Sequence, residues 1–355
     1  MNWEPLPKDV VVTTVLPTFR RPELLARAIR SVLGQTYPHL EVCVYDNASG
    51  DATGDVVRAL VGEDSRVRYH CHPENVGLNR NFLHGLGRVD TPLFSFLSDD
   101  DLIFPELYAR ALRAFRERPS LGFFCGNVMD LDPTGRVLRE CPLEEGLYEP
   151  PRGLLEMAGR GHPQWAGMVF RRQVLDRIGL LDPDNEAFDL EFELRAASRF
   201  EYAVDSAPAG IFSRPAAPQF ERLRDVYRAL LRTAARFRDD LELPVAVRQE
   251  TERLLTSRAT VQLASWAFGA IARGDYALAR QLGAVMAEFP GGSRSAWLPR
   301  SLAALAERVW PVGRLLSLLY DCRTRRRRSV EARMTQRLRE TGQAARFGLE
   351  LSSEA

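Results

Sequence analysis

Leu93-Phe94-Ser95-Phe96-Leu97-Ser98-Asp99-Asp100-Asp101 runs from an apolar, aromatic segment straight into three adjacent carboxylates. A short apolar run bounded by polar residues reads as a buried strand, so the acids stand at that strand's carboxyl end. Adjacent carboxylates repel, and in a strand-end loop a cation or a basic partner must offset the repulsion. Hard oxygen donors suit Mg2+ or Mn2+, which keep waters and take further ligands from a diphosphate. The alternative is a solvated acidic turn capping the helix that begins at Pro105. The position at a strand's carboxyl end favours a site.

Working outward, strand-like and helix-like segments alternate. Val10 to Leu16 is an apolar, β-branched run, followed by Pro17-Thr18 and by Glu23 to Leu33, where Leu24, Leu25, Ala28, Ile29 and Val32 recur at helical spacing. Leu40 to Tyr45 repeats the strand, Asp46 to Thr53 is a polar turn, and Val56 to Val61 is a short helix. Val67 to Cys71, Leu78 to Leu86 and Pro105 to Phe115 continue the alternation, which predicts a parallel sheet covered on both faces. Ligands bind such sheets at the strand carboxyl ends, which puts weight on Pro17 to Arg20, Asp46 to Ser49 and Ser98 to Asp101. Farther on, strands are expected at Gly122 to Met129 and Gly167 to Phe170, and helices at Arg172 to Ile178 and near Phe188 to Phe200.

Composition removes several classes. With 355 residues, 45% hydrophobic and 27% charged, the chain is globular and long enough for two folded units. A net charge of +1 gives no global case for nucleic acid or anionic lipid, so any basic patch is local. Lys8 is the single lysine; the arginine excess says little about function. Cys43, Cys71, Cys125, Cys141 and Cys322 form no Cys-x-x-Cys pair, which points to a reducing compartment and away from a structural zinc. The N-terminal residues lack the pattern of a signal peptide and no stretch approaches the ~20 apolar residues of a membrane span, so a cytoplasmic protein is expected. No Gly-x-Gly-x-x-Gly follows the first strand, which removes a dehydrogenase reading.

Three carboxylate features, each with a bland alternative, suggest chemistry. The aspartate loop is the first. Asp46-Asn47-Ala48-Ser49-Gly50-Asp51 could select a heterocyclic base by hydrogen bonding, or be a turn with Asp51 as helix N-cap. Asp189 and Glu193 lie at i, i+4 on one helix face, where one carboxylate near the helix start could serve as general base, or where the pair belongs to a solvated acidic stripe.

Val15 to Leu25, Ala28-Ile29-Arg30-Ser31-Val32-Leu33-Gly34-Gln35-Thr36-Tyr37, the Asp46 turn, Glu74-Asn75-Val76-Gly77 and the Asp99 to Asp101 loop together resemble inverting glycosyltransferases of family 2 over roughly residues 10 to 215. The resemblance implies a GT-A fold, a Rossmann-like mixed α/β sheet flanked by helices, here with a C-terminal α-helical appendage. It implies a metal-dependent enzyme moving sugar from a nucleotide-diphosphate donor, UDP- or dTDP-linked, to a hydroxyl of a glycan, lipid-linked or small-molecule acceptor. Pro17, Thr18, Arg20, Asp46, Asn47, Arg80 and Asp99 would bind nucleotide, Asp100 and Asp101 would hold Mn2+ or Mg2+, and Asp189 would be the catalytic base. Asn47 stands where a second Asp is commoner, and Phe188 replaces the Glu that usually precedes the base. His162, Gln164, Trp165 and Glu191 are the acceptor-side candidates.

The expected division is residues 1–215 for the catalytic domain, with a nucleotide half near 10–120 and an acceptor half near 121–215, and 216–355 for the helical region. In the latter, Glu221 to Phe237, Val245 to Arg273, Tyr276 to Glu288 and Leu302 to Leu319 show helical spacing, broken at Gly274, Pro290-Gly291-Gly292 and Pro311. Gly274 to Arg280 resembles one turn of a helical-hairpin solenoid. Trp297 to Tyr320 with the run Arg323 to Arg328 either packs as a helical hairpin or makes peripheral membrane contact. A nucleotide-sugar-binding module without turnover, and a nucleic-acid binder using the arginine run, are the competing functions; for the latter no recognition motif is present.

Overall fold

The computed structural model describes residues 3, 5–214, 220–289, 292–308 and 327–352. The chain divides into two compact units: residues 1–184, 188–216 and 334–355 form the first, and residues 185–187 and 217–333 the second.

The first unit is built on a mixed sheet. β1 (Val12–Thr18), β2 (Leu40–Asp46), β3 (Val67–Cys71) and β4 (Leu93–Phe96) alternate with α1 (Pro22–Leu33), α2 (Thr53–Glu63) and α3 (Leu78–Leu86). These four strands pair in parallel in the order β3-β2-β1-β4, as their alternation with helices requires. Every residue of β1 is buried, as expected of a strand covered on both faces. In α1, Leu25, Ala28, Ile29 and Val32 are buried, and Pro22 starts the helix with a preset φ.

The remaining strands make the sheet mixed. β5 (Leu102–Ile103), α4 (Leu107–Glu117), β6 (Leu121–Leu131), β7 (Val137–Arg139), β8 (Gly146–Tyr148), α5 (Arg152–Arg160), β9 (Met168–Arg171), α6 (Val174–Ile178), α7 (Phe188–Arg199) and β10 (Glu201–Ser213) complete the α/β chain. β9 is antiparallel to both β4 and β6, and β10 runs parallel to β6 and antiparallel to β5 and β8. The run of parallel neighbours that starts at β3 therefore ends at β4, and parallel pairing recurs between β6 and β10. β10 escapes the sequence pattern because Pro208 and register shifts between Asp205 and Gly210 interrupt its alternation.

The second unit is helical. α8 (Phe220–Arg238), α9 (Val245–Ala272), α10 (Tyr276–Ala287) and α11 (Gly292–Arg308) bury Leu263, Leu282, Val285 and Met286 in one cluster and Ile271, Ala279 and Ala303 in another. At the α9–α10 turn, Gly274 takes φ +81° and Asp275 caps α10 by accepting from Leu278 N at 3.0 Å. The helix α12 (327–340) and α13 (Gln343–Arg346) follow. Residues 334–352 close on the first unit: Leu338, Phe347 and Leu351 pack with Leu102, Met129 and Ile211, and Val137 N donates to Thr335 Oγ1 at 2.9 Å. The structure parts here from a single helical region over 216–355, because helical spacing marks an apolar face without saying which core it covers. Pro215, Pro218, Pro290-Gly291, Pro311, residues 309–320, Cys322 and Arg323 to Arg326 lie outside the described residues. Among the described residues no helix is long and apolar enough to cross a membrane.

Candidate active site

The carboxyl ends of β1, β2 and β4 meet in one hydrogen-bonded network. Pro17 and Thr18 end β1 opposite Tyr45 and Asp46 of β2, and Asn47 N donates to Thr18 O at 3.0 Å. Asp46 is buried. Its Oδ1 accepts from Ser49 N at 2.9 Å and Ser49 Oγ at 2.6 Å, and its Oδ2 from Tyr69 OH at 2.7 Å. Ser49 Oγ in turn accepts from Arg20 N at 2.9 Å, and Ser49 O accepts from Arg20 Nε at 2.9 Å. This clamp holds two non-glycine residues in the left-handed region, Arg20 at φ 56° and Ala48 at φ 58°. Such conformations cost on the order of 1–3 kcal/mol each and concentrate at functional loops. Asn47 Nδ2 donates to Asn75 Oδ1 at 2.9 Å while its Oδ1 accepts from Val76 N at 2.8 Å, which fastens the loop after β3 to the loop after β2.

The three aspartates have three different environments. Asp99 is buried; its Oδ2 accepts from Thr18 Oγ1 at 2.8 Å and from Phe19 N at 3.4 Å. Burial pushes its carboxyl above the ordinary range, and Thr18 and Arg21 draw back only part of that shift. Asp100 is half-buried. Arg21 Nη1 lies 3.1 Å from Asp99 Oδ1 and 2.7 Å from Asp100 Oδ2, so one guanidinium spans both acids. Asp101 is buried and accepts from Ser213 N at 2.8 Å. Burial, then the charge of Asp100, pushes its carboxyl well above the carboxylate range. Of Asp100 and Asp101, the pair expected to hold metal, Asp100 is the exposed member; Asp101 is buried against Ser213 N, and the carboxylate that shares a cation with Asp100 is Asp99.

Trp165 ties this loop to the start of α7. Its ring stacks on Phe96 at 4.0 Å between centroids, and Phe96 ends β4, three residues before Asp99. The same ring meets Phe188 edge-on at 5.5 Å, and Phe188 immediately precedes Asp189. Asp189 is half-buried in the first turn of α7, where unpaired backbone N–H groups favour negative charge, and its Oδ1 accepts from Leu190 N at 2.8 Å.

The solvated acidic stripe considered for this helix is absent. Glu193 is fully buried with its Oε2 3.0 Å from His162 Nδ1, and Glu191 is fully buried in a bidentate pair with Arg195, at 2.7 and 2.9 Å. Arg195 also donates to the carbonyls of Ile178 and Leu180, so Glu191 anchors the loop before α7. Gln164 Nε2 donates to Asp130 Oδ1 at 3.3 Å, and Asp130 Oδ2 accepts from Arg214 Nη2 at 2.6 Å and Arg139 Nε at 3.1 Å. Arg80 pairs with Asp184 at 3.0 Å on the surface, where such a pair contributes little. Arg21, Tyr69, Asp130 and Arg214 lie outside the strand-end stretches that the sequence marks, whereas Ser49 ends one of them. Of the four, only Arg21, beside the Pro17 to Arg20 stretch, carries a signal there, as the basic partner that adjacent acids call for.

A sequence model described as glycosyl transferase family 2 matches residues 13–179. The chain is 34% identical over 132 residues to the GalNAc(5)-diNAcBac-PP-undecaprenol beta-1,3-glucosyltransferase of Campylobacter jejuni, a match taking in 36% of this chain and 41% of that protein. It spans about half the length of the curated relatives it matches. Among solved structures it resembles S. aureus TarS 1-349 in complex with UDP-GlcNAc, with TM-score 0.59 and 16% identity over 87% of this chain and 91% of that one. It also resembles the mannosyltransferase PcManGT from Pyrobaculum calidifontis in complex with GDP-Man and Mn2+, with TM-score 0.52 and 18% identity over 90% of this chain and 88% of that one.

Proposed function

We propose that this chain, which the glycosyl transferase family 2 model matches over residues 13–179 and which has the GT-A fold, is a glycosyltransferase of that family and transfers a sugar from a UDP- or dTDP-linked donor, with inversion, to a hydroxyl of a glycan or lipid-linked acceptor. The observation that carries this reading is the Trp165 ring, which touches both the residue ending β4 before the aspartate loop and the residue preceding Asp189. One side chain thereby sets the spacing between the leaving-group end and the proton-accepting end of a single displacement.

Thr18, Arg20, Asp46 and Asn47 form the nucleotide wall. Asp46 uses three acceptor positions internally, and a carboxylate has about four, which leaves one for a pyrimidine N3–H. Asp99 and Asp100 fit a hard divalent ion, since a cationic nitrogen already lies between their oxygens. Mn2+ or Mg2+ held by Asp100, with Asp99 alongside, would supply charge neutralisation at the departing diphosphate. Asp189 accepts the proton of the acceptor hydroxyl as its oxygen bonds to the anomeric carbon and the bond to the diphosphate breaks. His162 and Gln164 lie on the acceptor side, oriented by Glu193 and Asp130. Glu191 positions α7 through Arg195.

The test is Asp189→Asn, which keeps shape and removes the base. UDP affinity is expected to stay within about twofold of wild type while transfer from a UDP-sugar falls by roughly 10²- to 10⁴-fold. Retained turnover would remove Asp189 from the role. A wild-type chain that binds UDP-sugars and neither transfers nor hydrolyses them is a binding module.

A further inference from the structure

His70, His72 and His84 come together on the α3 side of the sheet, apart from the aspartate loop. The period of two along a strand puts His70 and His72 on one face of β3 and its continuation, while Tyr69 turns to the other face and bonds Asp46. His84, from α3, completes the group. Each ring offers one nitrogen within 4.8 Å of the others, and ring centroids are 4.4, 4.7 and 5.0 Å apart. Tyr45 closes one side, with its ring 6.0 Å from His70 and 5.6 Å from His84.

The hydrogen bonds around the rings leave lone pairs available. Asn81 Nδ2 donates to Tyr45 O at 2.8 Å, so its Oδ1 is the atom facing His72 Nε2, at 2.9 Å. An amide oxygen only accepts, so His72 carries its proton on Nε2 and keeps the Nδ1 lone pair. An outer-shell acceptor that fixes the tautomer of a ligating imidazole is a recurrent feature of metal centres. His84 Nε2 is buried and has no hydrogen-bond partner among the described residues, an anomaly in a folded protein. Burial, first, and Arg88 and the neighbouring imidazoles, next, lower the pKa of His84 to about 4, and burial with His72 and Arg88 lowers that of His70.

We infer that His70, His72 and His84 form a binding site for a borderline transition-metal ion, of which Zn2+ is the natural occupant, fastening α3 to the carboxyl end of β3. Three imidazoles and no carboxylate distinguish it from the hard-oxygen loop at Asp99 and Asp100. A Zn–N bond of about 2.0–2.1 Å sets nitrogens about 3.3 Å apart in a tetrahedron, so the rings close by on the order of an ångström on loading, with water as fourth ligand. Cysteine spacing, which speaks against a thiolate zinc, is silent on such a site. The consequence reaches the nucleotide wall, because His72 N donates to Asp46 O at 2.9 Å and Asn81 N to Gly77 O at 3.0 Å, at the two ends of the loop carrying Asn75.

The experiment uses the full chain stripped with chelator and titrated with Zn2+ against a chromophoric competitor, with Co2+ as a spectroscopic probe. A zinc that survives in Asp100→Ala, weakens at least tenfold in both His70→Gln and His84→Gln, and gives the intense visible bands of four-coordinate Co2+ supports the site. Zn2+ binding unchanged in both histidine variants, abolished in Asp100→Ala, or absent at micromolar metal overturns it. Wild-type imidazole NMR covers the case of a variant that does not fold: the chain has five histidines, and Zn2+ should shift the resonances of His70, His72 and His84 while leaving His39 and His162 in place. Shifts confined to His39 or His162 overturn the assignment. None of these readouts depends on sugar transfer.

Discussion

Replacing Arg21 with methionine should make the nucleotide-free protein bind Mn2+ more tightly. The Arg21 guanidinium spans Asp99 and Asp100 at 3.1 and 2.7 Å, in the place a divalent ion would take. Burial lowers the Arg21 pKa, the two carboxylates outweigh it, and the net shift is upward, so the guanidinium is fully charged at neutral pH. Its side chain is 49% exposed and that of Asp100 26%, so solvent screening holds the two contacts together to about 1 kcal/mol. Any ion entering the loop must first displace them. Removing that competitor corresponds to roughly fivefold tighter Mn2+, since 1.4 kcal/mol is a factor of ten. The same change leaves two adjacent acids unbalanced and should lower metal-free stability by about 1 kcal/mol.

An EPR titration that counts free aqueous Mn2+ measures the affinity, and urea unfolding with and without Mn2+ measures the stability. In 0.5 M NaCl the difference between variant and wild type should shrink, because the competing pairs are half exposed. Weaker or unchanged Mn2+ binding in Arg21→Met would refute the reasoning: Arg21 would then be shaping the loop rather than standing in for the ion.

Ser49→Ala removes the hydroxyl that joins Asp46 to Arg20 and should cost about 1–2 kcal/mol in urea unfolding, with UDP affinity by calorimetry falling roughly tenfold. Unchanged UDP affinity would separate that clamp from the nucleotide wall. Trp165→Ala withdraws the ring between Phe96 and Phe188 and should lower stability by about 3–4 kcal/mol. The turnover of Trp165→Phe, which fills most of the space, should drop more than its UDP affinity; equal losses would deny Trp165 the spacing role. Gly85→Ala places a Cβ 2.5 Å from Val15 Cγ1 and 2.8 Å from Tyr45 Cε2. The resulting overpacking, about 2–3 kcal/mol, exceeds the helix-propensity gain of about 1 kcal/mol, so a lower melting temperature is expected and a higher one would contradict the packing of α3.

The parallel half of the sheet was legible because β1 and β4 are fully buried apolar runs and its helices carry the 3.6-residue period. β7, β8 and β10 were not, since two are three residues long and the third is broken at Pro208. In α7 the spacing of Asp189 and Glu193 suited either a site or a solvated face. Solvation was the wrong face for Glu193, because its partner His162 lies 31 residues away and no periodicity carries that distance. Glu191 differs: Arg195 stands at i+4, and the pair could have been read from spacing alone as a helix-internal ion pair.

The histidine cluster shows where sequence reading needs topology. His70 and His72, two apart in a strand, announce a shared face, but the third ring comes from a helix twelve residues on, and its arrival depends on how closely α3 lies on the sheet. Gly85 sets that approach. Any side chain there would overlap Val15 of β1 and Tyr45 of β2, so the missing Cβ lets the helix axis settle onto the strands and carries the adjacent His84 against Tyr45 and the two strand histidines. A glycine inside a helix, which propensity alone marks as a weakness, is here the residue that brings three imidazoles within reach of one ion.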